Sequence, residues 1–202
     1  MSETPGARER WNLRYAERGL TPFPDRPAPW LEENRELLAG RRGLALDVAC
    51  GDGRNARYLA ELGFAVDAVD VSDVAVAALR DAAAELGLDV DARRMDLEAE
   101  PLPVARYDVV VQFNYLQRDL FGALAGALTP GGILIVETVS REHVEELGNS
   151  FDPRFVLGDN ELLHAFPDLR IRQYREGVIE RSGRLRGVAG LVAERRPTPG
   201  RG

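Results

Sequence analysis

Asp47, Asp70 and Asp96 stand at or beside the ends of three successive apolar runs, and Gly51 and Gly53 follow the first run directly. In an open parallel sheet such strand ends form the edge where small molecules bind. A glycine turn leading into a helix presents N–H groups that lack partners within the helix, so it makes a cradle for a polar ligand. An acid closing the second strand can accept both hydroxyl hydrogens of a ribose. One such aspartate is commonplace, because Asp starts turns and caps helices. Three of them at consecutive strand ends, with a glycine loop at the first, point to one shared ligand.

Charge in the loop narrows that ligand. Gly51-Asp52-Gly53-Arg54-Asn55-Ala56 matches the G-x-G-x-x-A spacing of dinucleotide-binding loops. A pyrophosphate is doubly negative, and Asp52 inside the loop and Asp47 at its base would repel it. S-adenosylmethionine offers an adenosine without phosphate, and its methionine end carries a sulfonium and an ammonium. Asp47 and Asp52 suit that cationic end, while Asp70 and Asp96 suit the ribose and the adenine amino group. The charge balance favours the sulfonium ligand, with an NAD-binding oxidoreductase as the alternative.

The elements that must position these groups alternate. Arg10 to Gly19 reads as a short helix with Trp11 and Tyr15 on one face. Four prolines between Thr21 and Pro29 force an extended connector. Trp30 to Leu38 reads as a second helix. Strands are expected at Leu44–Cys50, Phe64–Asp70, Asp89–Met95, Tyr107–Phe113 and Ile133–Val139. Helices between them are expected from Ala56 to Leu62, from Asp73 to Leu86 with Ser72 as cap, and from Asp119 to Leu128. Thr129-Pro130-Gly131-Gly132 reads as a turn. The stretch 140–167 is irregular, with short helices at Glu142–Leu147 and Glu161–Phe166. Leu169–Ile179 and Leu185–Ala193 form a hairpin across Arg181-Ser182-Gly183. The pattern specifies an α/β fold: a three-layer, doubly wound, mostly parallel sheet ending in an antiparallel hairpin.

Composition excludes several function classes. All 26 basic residues are arginine, so no lysine is present to form a Schiff base or serve a phosphate loop. A net charge of -7 opposes broad nucleic-acid binding, which needs a basic footprint. No apolar run approaches the ~20 residues that cross a bilayer, and the first ten residues do not read as a signal peptide. Cys50 is the only cysteine, so no disulfide can form within the chain. A cytoplasmic protein with no nucleic-acid or membrane partner and no metal site is expected, its oligomeric state open.

The run Leu46-Asp47-Val48-Ala49-Cys50-Gly51-Asp52-Gly53 resembles the first motif of class I S-adenosylmethionine-dependent methyltransferases. Asp70, Asp96-Leu97, Tyr107-Asp108-Val109-Val110 and Leu128-Thr129-Pro130-Gly131-Gly132 resemble that family's later motifs, in order. Trp11-Asn12-Leu13-Arg14-Tyr15, Cys50 to Ala56 and Tyr115-Leu116-Gln117-Arg118 are similar to the small tellurite-resistance (TehB-like) methyltransferases. The resemblance implies a seven-stranded Rossmann-like sheet and S-adenosyl-L-methionine as cofactor. It places Asp47, Ala49, Cys50, Gly51 and Gly53 along the methionine portion, with Arg54 and Asn55 near the carboxylate. Asp70 and Val71 would meet the ribose, Asp96 and Leu97 the adenine, and Phe113 and Asn114 the sulfonium and amino end. Ala49 replaces the first glycine of the family's loop, which is tolerable if its φ is negative.

Methyl transfer to a small molecule follows as the expected activity, with a tellurite- or selenite-type oxyanion or a thiol as the acceptor classes. A non-catalytic S-adenosylmethionine-binding protein is a further alternative. In-line displacement asks for alignment and water exclusion and requires no particular catalytic side chain. Tyr115 and Arg118 are the preferred substrate-side pair; Tyr15, Glu137, His143 and His164 are further candidates, with His143 read as a surface residue and His164 as partly buried. Residues 1–40 form a helical segment and connector on the lid and substrate side, 41–195 the cofactor-binding domain, and 196–202 a disordered tail.

Overall fold

The computed structural model describes residues 6–197, so from residue 198 onward the expected disordered tail lies outside the described residues. The chain divides into two compact units, Met1–Leu102 and Pro103–Gly202. Its seven strands are ordered β3-β2-β1-β4-β5-β7-β6, the mostly parallel sheet that the sequence pattern specifies.

The first unit contains α1 (Ala7–Arg18), α2 (Pro29–Glu33), β1 (Gly43–Val48), α3 (Arg54–Glu61), β2 (Phe64–Asp70), α4 (Asp73–Leu86) and β3 (Val90–Arg94). β2 pairs in parallel with β1 on one side and β3 on the other. Ala45, Leu46 and Val48 of β1 are wholly buried, as suits a strand covered on both faces. α4 has the expected bounds: the Ser72 hydroxyl accepts the Ala75 N–H at 3.2 Å, and left-handed Gly87 stops it.

Several boundaries differ from the sequence reading, including α3, which begins at Arg54 rather than Ala56. The first helix begins at Ala7 rather than Arg10 and buries none of its residues. The single helix expected over Trp30–Leu38 is α2 followed by a 3₁₀ turn at Arg35–Leu37. Between them the Asn34 side chain donates to the Trp30 carbonyl at 2.8 Å, the local competition by which Asn interrupts helices. β1 stops at Val48, two residues early, because Ala49 turns left-handed at φ 54°.

The second unit contains β4 (Tyr107–Phe113), α5 (Phe121–Ala127), β5 (Leu128–Val139), α6 (Glu142–Glu145), α7 (Glu161–Ala165), β6 (Arg170–Arg181) and β7 (Arg184–Glu194). β4 and β5 run parallel, and β7 is antiparallel to both β5 and β6. Val109, Val110 and Val111 have no exposed surface. Thr129-Pro130-Gly131-Gly132, expected as a turn, lies inside β5 as an irregularity: Tyr107 pairs with Leu128 and Val109 with Ile133. The extra residues are tied to the end of β7 instead, through Gly131 N–H to Arg195 C=O at 2.7 Å and Arg195 N–H to Gly132 C=O at 2.9 Å. A helix–turn–strand junction therefore becomes a bulged strand, since tertiary pairing supplies the backbone partners that a turn would otherwise provide internally.

The hairpin turn has two left-handed central residues, Ser182 at φ 50° and Gly183 at φ 73°. That is the backbone of a type I′ turn, which favours Asn-Gly. Ser182→Asn should stabilise the protein by about 0.5 kcal/mol in urea unfolding, with no change in the transition's slope.

Candidate functional site

In the first unit the loop after β1 is held by carboxylates. Asp47, 1% exposed, accepts the Ala56 N–H at 3.0 Å, near the start of α3. Burial pushes its carboxyl up to about 8, against the pull of that N–H, so the charged form is disfavoured there. Asp47 therefore anchors the helix start more than it displays a negative charge. Asp70, at the end of β2, accepts the Gly51 N–H at 3.0 Å through one oxygen and the Ser72 N–H at 2.9 Å through the other. Burial raises its pKa as well, opposed by the same backbone donors. The Met95 N–H donates to the Asp70 carbonyl at 2.9 Å, bringing the end of β3 and Asp96 alongside. Asp96 spends one oxygen on the Glu98 N–H. Gly51, Asp70 and the chain entering Asp96 thus come together as the spacing predicts. Asp52, at the loop tip, accepts the Arg54 N–H at 3.3 Å and is only part-buried. Cys50 is buried, and burial raises its thiol well above the ordinary range, so it sits in the loop as a neutral thiol rather than a nucleophile.

The N-terminal segment covers this loop, and its part is larger than the sequence indicates. Phe23 donates its N–H to the Asp52 carbonyl at 2.7 Å, and Ala28 donates to the Asn55 side-chain oxygen at 2.8 Å. Asn55, expected near the cofactor's carboxylate, is thus used to tie the connector to α3. Arg57 adds bonds to the Phe23 carbonyl at 2.9 Å and to Asp25 at 2.8 Å. Gly53 has to be glycine: at φ 77°, a Cβ would lie 2.5 Å from Leu79 and 2.7 Å from the Phe23 ring. Tyr15 of α1 lies over Gly51, its hydroxyl 2.8 Å from where a Cβ would stand, and stacks on Trp11 at 5.6 Å. Burial and the neighbouring Asp70 raise the Tyr15 phenol. Asn12 accepts the Ser72 hydroxyl at 2.7 Å and donates to Asp73 at 3.1 Å, and Arg8 pairs with Asp73 at 2.6 Å. Phe23, Arg57 and Asn12 escaped the sequence reading because no spacing rule links a loop to a segment twenty to sixty residues away.

In the second unit, Phe113 closes β4 and left-handed Asn114 follows at φ 54°, donating to the Glu137 carbonyl at 3.0 Å. Phe113, Glu137, Gly190 and Arg175 are register partners across four adjacent strands, so they form one rank on one face. Gly190 leaves room for Arg175 to reach Glu137 at 2.5 Å, while Arg181 grips the same carboxylate through both oxygens at 2.5 and 2.6 Å. Glu137 is 4% exposed, so two guanidinium groups are fixed around one buried acid.

The preferred pair, Tyr115 and Arg118, is tied into the structure. Tyr115 donates its hydroxyl to Gln117 at 2.6 Å. Arg118 donates to both Glu161 oxygens, at 2.7 and 3.0 Å, and to the Arg154 and Val156 carbonyls at 3.0 Å each. His143 is half-buried and accepts the Gly187 N–H, and burial lowers its pKa. His164, expected to be partly buried, is exposed. Among the described residues no group of three His, Cys, Asp or Glu could hold a metal ion, and no helix is long and apolar enough to cross a membrane.

Residues 45–132 match the family model of a methyltransferase domain. The ubiquinone biosynthesis O-methyltransferase of Brucella anthropi is 32% identical over 149 residues, covering 67% of this chain and 60% of that protein. The corresponding Caulobacter vibrioides protein is 34% identical over 102 residues, covering 48% of this chain and 40% of that protein. The chain thus spans about half the length of these curated relatives. Its fold is that of TehB from Haemophilus influenzae, with a TM-score of 0.70 at 18% identity over 92% of this chain and 67% of that one. A structure described for the conversion of a disulfide bond into a thioacetal group during echinomycin biosynthesis has a TM-score of 0.67 at 22% identity, covering 95% and 94%. The resemblance to methyltransferases drawn from the motifs is borne out over residues 45–132.

Two outcomes follow from the loop. A left-handed alanine costs roughly 1–2 kcal/mol, partly offset in glycine by its greater entropy when unfolded, so Ala49→Gly should raise the thermal midpoint by a few degrees. The condition under which alanine is easily tolerated there, a negative φ, is not met: Ala49 has a φ of 54°. For Asp47, the folded carboxyl near 8 exceeds the ordinary 3.8. Its contribution to stability is therefore full below the lower value and lost as pH rises through the upper one. Asp47→Asn retains an acceptor for Ala56 and has no proton to lose. Calorimetric melting between about pH 5 and pH 9 should show a flatter loss of stability in the variant than in the wild type.

Proposed function

We propose that this chain, which carries the domain, motifs and fold of class I S-adenosylmethionine-dependent methyltransferases, transfers a methyl group from S-adenosylmethionine to a small nucleophilic acceptor. The observation that carries this reading is the Asp70 carboxylate at the end of β2, bonded to the Gly51 N–H and so joined to the glycine loop. Ionised carboxyl oxygens can accept more than one hydrogen bond each, so Asp70 can hold the loop and still receive ribose hydroxyls. A loop with Asp52 at its tip fits a cationic methionine end better than a pyrophosphate. When bound, S-adenosylmethionine supplies a methyl group on a sulfonium that leaves readily as a neutral thioether.

The protein's own residues bind, align and exclude water. Asp70 and Val71 take the ribose, and Asp96 and Leu97 the adenine. Ala49, Cys50, Gly51 and Gly53 line the methionine portion over the buried Asp47, and Arg54 faces the carboxylate. Phe113 and Asn114 serve the sulfonium and amino end. Tyr15 and Trp11 act as a lid: α1 buries no residue and is fixed by polar contacts to the start of α4, so its displacement uncovers Gly51 without opening a core. The acceptor's lone pair attacks the methyl carbon as the carbon–sulfur pair passes to sulfur, and an O–H or S–H acceptor gives up its proton. A selenite- or tellurite-type oxyanion or a thiol is the expected acceptor. The named activity of the curated relatives, O-methylation in ubiquinone biosynthesis, makes a hydroxyl compound such as a phenol the competing acceptor class.

Calorimetry should give micromolar binding of S-adenosylhomocysteine and none of NAD(H), with Asp70→Asn weakening the former about tenfold or more. Labelled methyl transfer should then appear with oxyanions, thiols or phenols in a panel. Binding of NAD(H) alone would sink the proposal, and tight S-adenosylhomocysteine binding without any transfer would identify a cofactor-binding protein that does not turn over.

A further inference from the structure

Arg118 and Glu161 have a role that the methyl-transfer reading leaves unassigned. The segment between α6 and α7 leaves the carboxyl end of β5, where open α/β sheets bind ligands. It folds with almost no core of its own: of residues 149–160, only Leu157 is buried. Phe151 and Phe155 each remain 41% exposed. Polar bonds hold the segment instead. Leu157 donates to the Val139 carbonyl at 2.9 Å, fixing it to the end of β5. Arg118, five residues beyond the end of β4, reaches across to the Arg154 and Val156 carbonyls and closes a two-point ion pair on Glu161. Glu161 in turn accepts the Gly158 N–H at 2.8 Å. Burial opposes the charge on Glu161, but the bonds from Arg118 and Gly158 outweigh it and hold the carboxyl below its ordinary range.

We infer that Arg118 and Glu161 are positioning residues that latch the 150–161 segment to the chain leaving β4, and so set how well the acceptor is held. The inference rests on the methyltransferase reading for its kinetic consequence. A latch built of partly exposed ion pairs and carbonyl bonds contributes little to global stability, yet it decides whether a segment without a core has one conformation. Two half-exposed phenylalanines, Phe151 set edge-on to the His143 ring, then hold one arrangement only while the latch is closed. Arg118 touches no reacting atom on this account.

The test uses the full chain with Arg118→Ala, Arg118→Lys, Glu161→Gln and the exchange Arg118→Glu with Glu161→Arg. Hydrogen exchange is measured first, since it needs no acceptor. Arg118→Ala should lose amide protection over 150–161 while β4 and β5 keep theirs, and unchanged protection in that segment would overturn the latch. With selenite and phenol as acceptor probes, the acceptor KM should rise about tenfold with kcat within about twofold, the pattern of lost acceptor binding. S-adenosylhomocysteine affinity and the melting temperature should hold. The exchanged pair should recover part of the KM loss, because it restores the ion pair but not the two carbonyl bonds. A proportional fall in kcat, or an equal loss of S-adenosylhomocysteine affinity, would sink the positioning role. Absence of S-adenosylhomocysteine binding in the wild type would instead count against the methyltransferase reading, leaving the exchange result to decide the latch.

Discussion

The buried carboxylate of Asp70 is the constraint on which the ligand edge depends. One oxygen receives the Gly51 N–H from the loop after β1, and the other receives the Ser72 N–H at the start of α4. Its own carbonyl receives the Met95 N–H from the end of β3. One residue at the end of β2 therefore fixes the ends of its two neighbouring strands and the entry to a helix. Burial opposes its ionisation while the N–H groups favour it. That tension is what a strand end needs if it is both to hold protein backbone and to accept hydroxyl groups from a ligand.

Around that point, acids divide between structure and ligand. Asp47 looks from its position like part of a cation site, yet it is buried beneath the loop and anchors the first turn of α3. Asp52 remains at the accessible tip. In the proposed site, attraction for a cationic methionine end thus falls to Asp52 and Asp70 more than to Asp47. Ala49 shows a related compromise: a residue with a side chain holds the left-handed turn that ends β1, at a cost in strain that the packed strand absorbs.

The second unit arranges charge differently. Its carboxyl edge carries Glu137 between two arginines, and a segment with little core is pinned by a third, Arg118. In a chain whose basic residues are all arginine, planar forked donors are available wherever carboxylates or carbonyl pairs need holding. Arg118, read from its position as a substrate-side group, is consumed by four such bonds. Position after a strand therefore indicates the ligand edge but does not say which residues face the ligand.

Local patterns carried most of the architecture. The valine run of β4, the bounds of β2, and α4 with its Ser72 cap and Gly87 stop follow from burial and capping rules that act over a few residues. The glycine loop, Asp70 and Asp96 were legible because their spacing is tied to strand ends. What only the tertiary structure decided involves partners distant in sequence. The bulge at Thr129–Gly132 arises because Arg195 supplies its backbone bonds. The connector over Gly53 depends on Phe23 meeting Leu79, and the Arg118 latch depends on Glu161. The raised pKa of Asp47 belongs to the same class, since desolvation depends on everything packed around a group rather than on its neighbours in the chain.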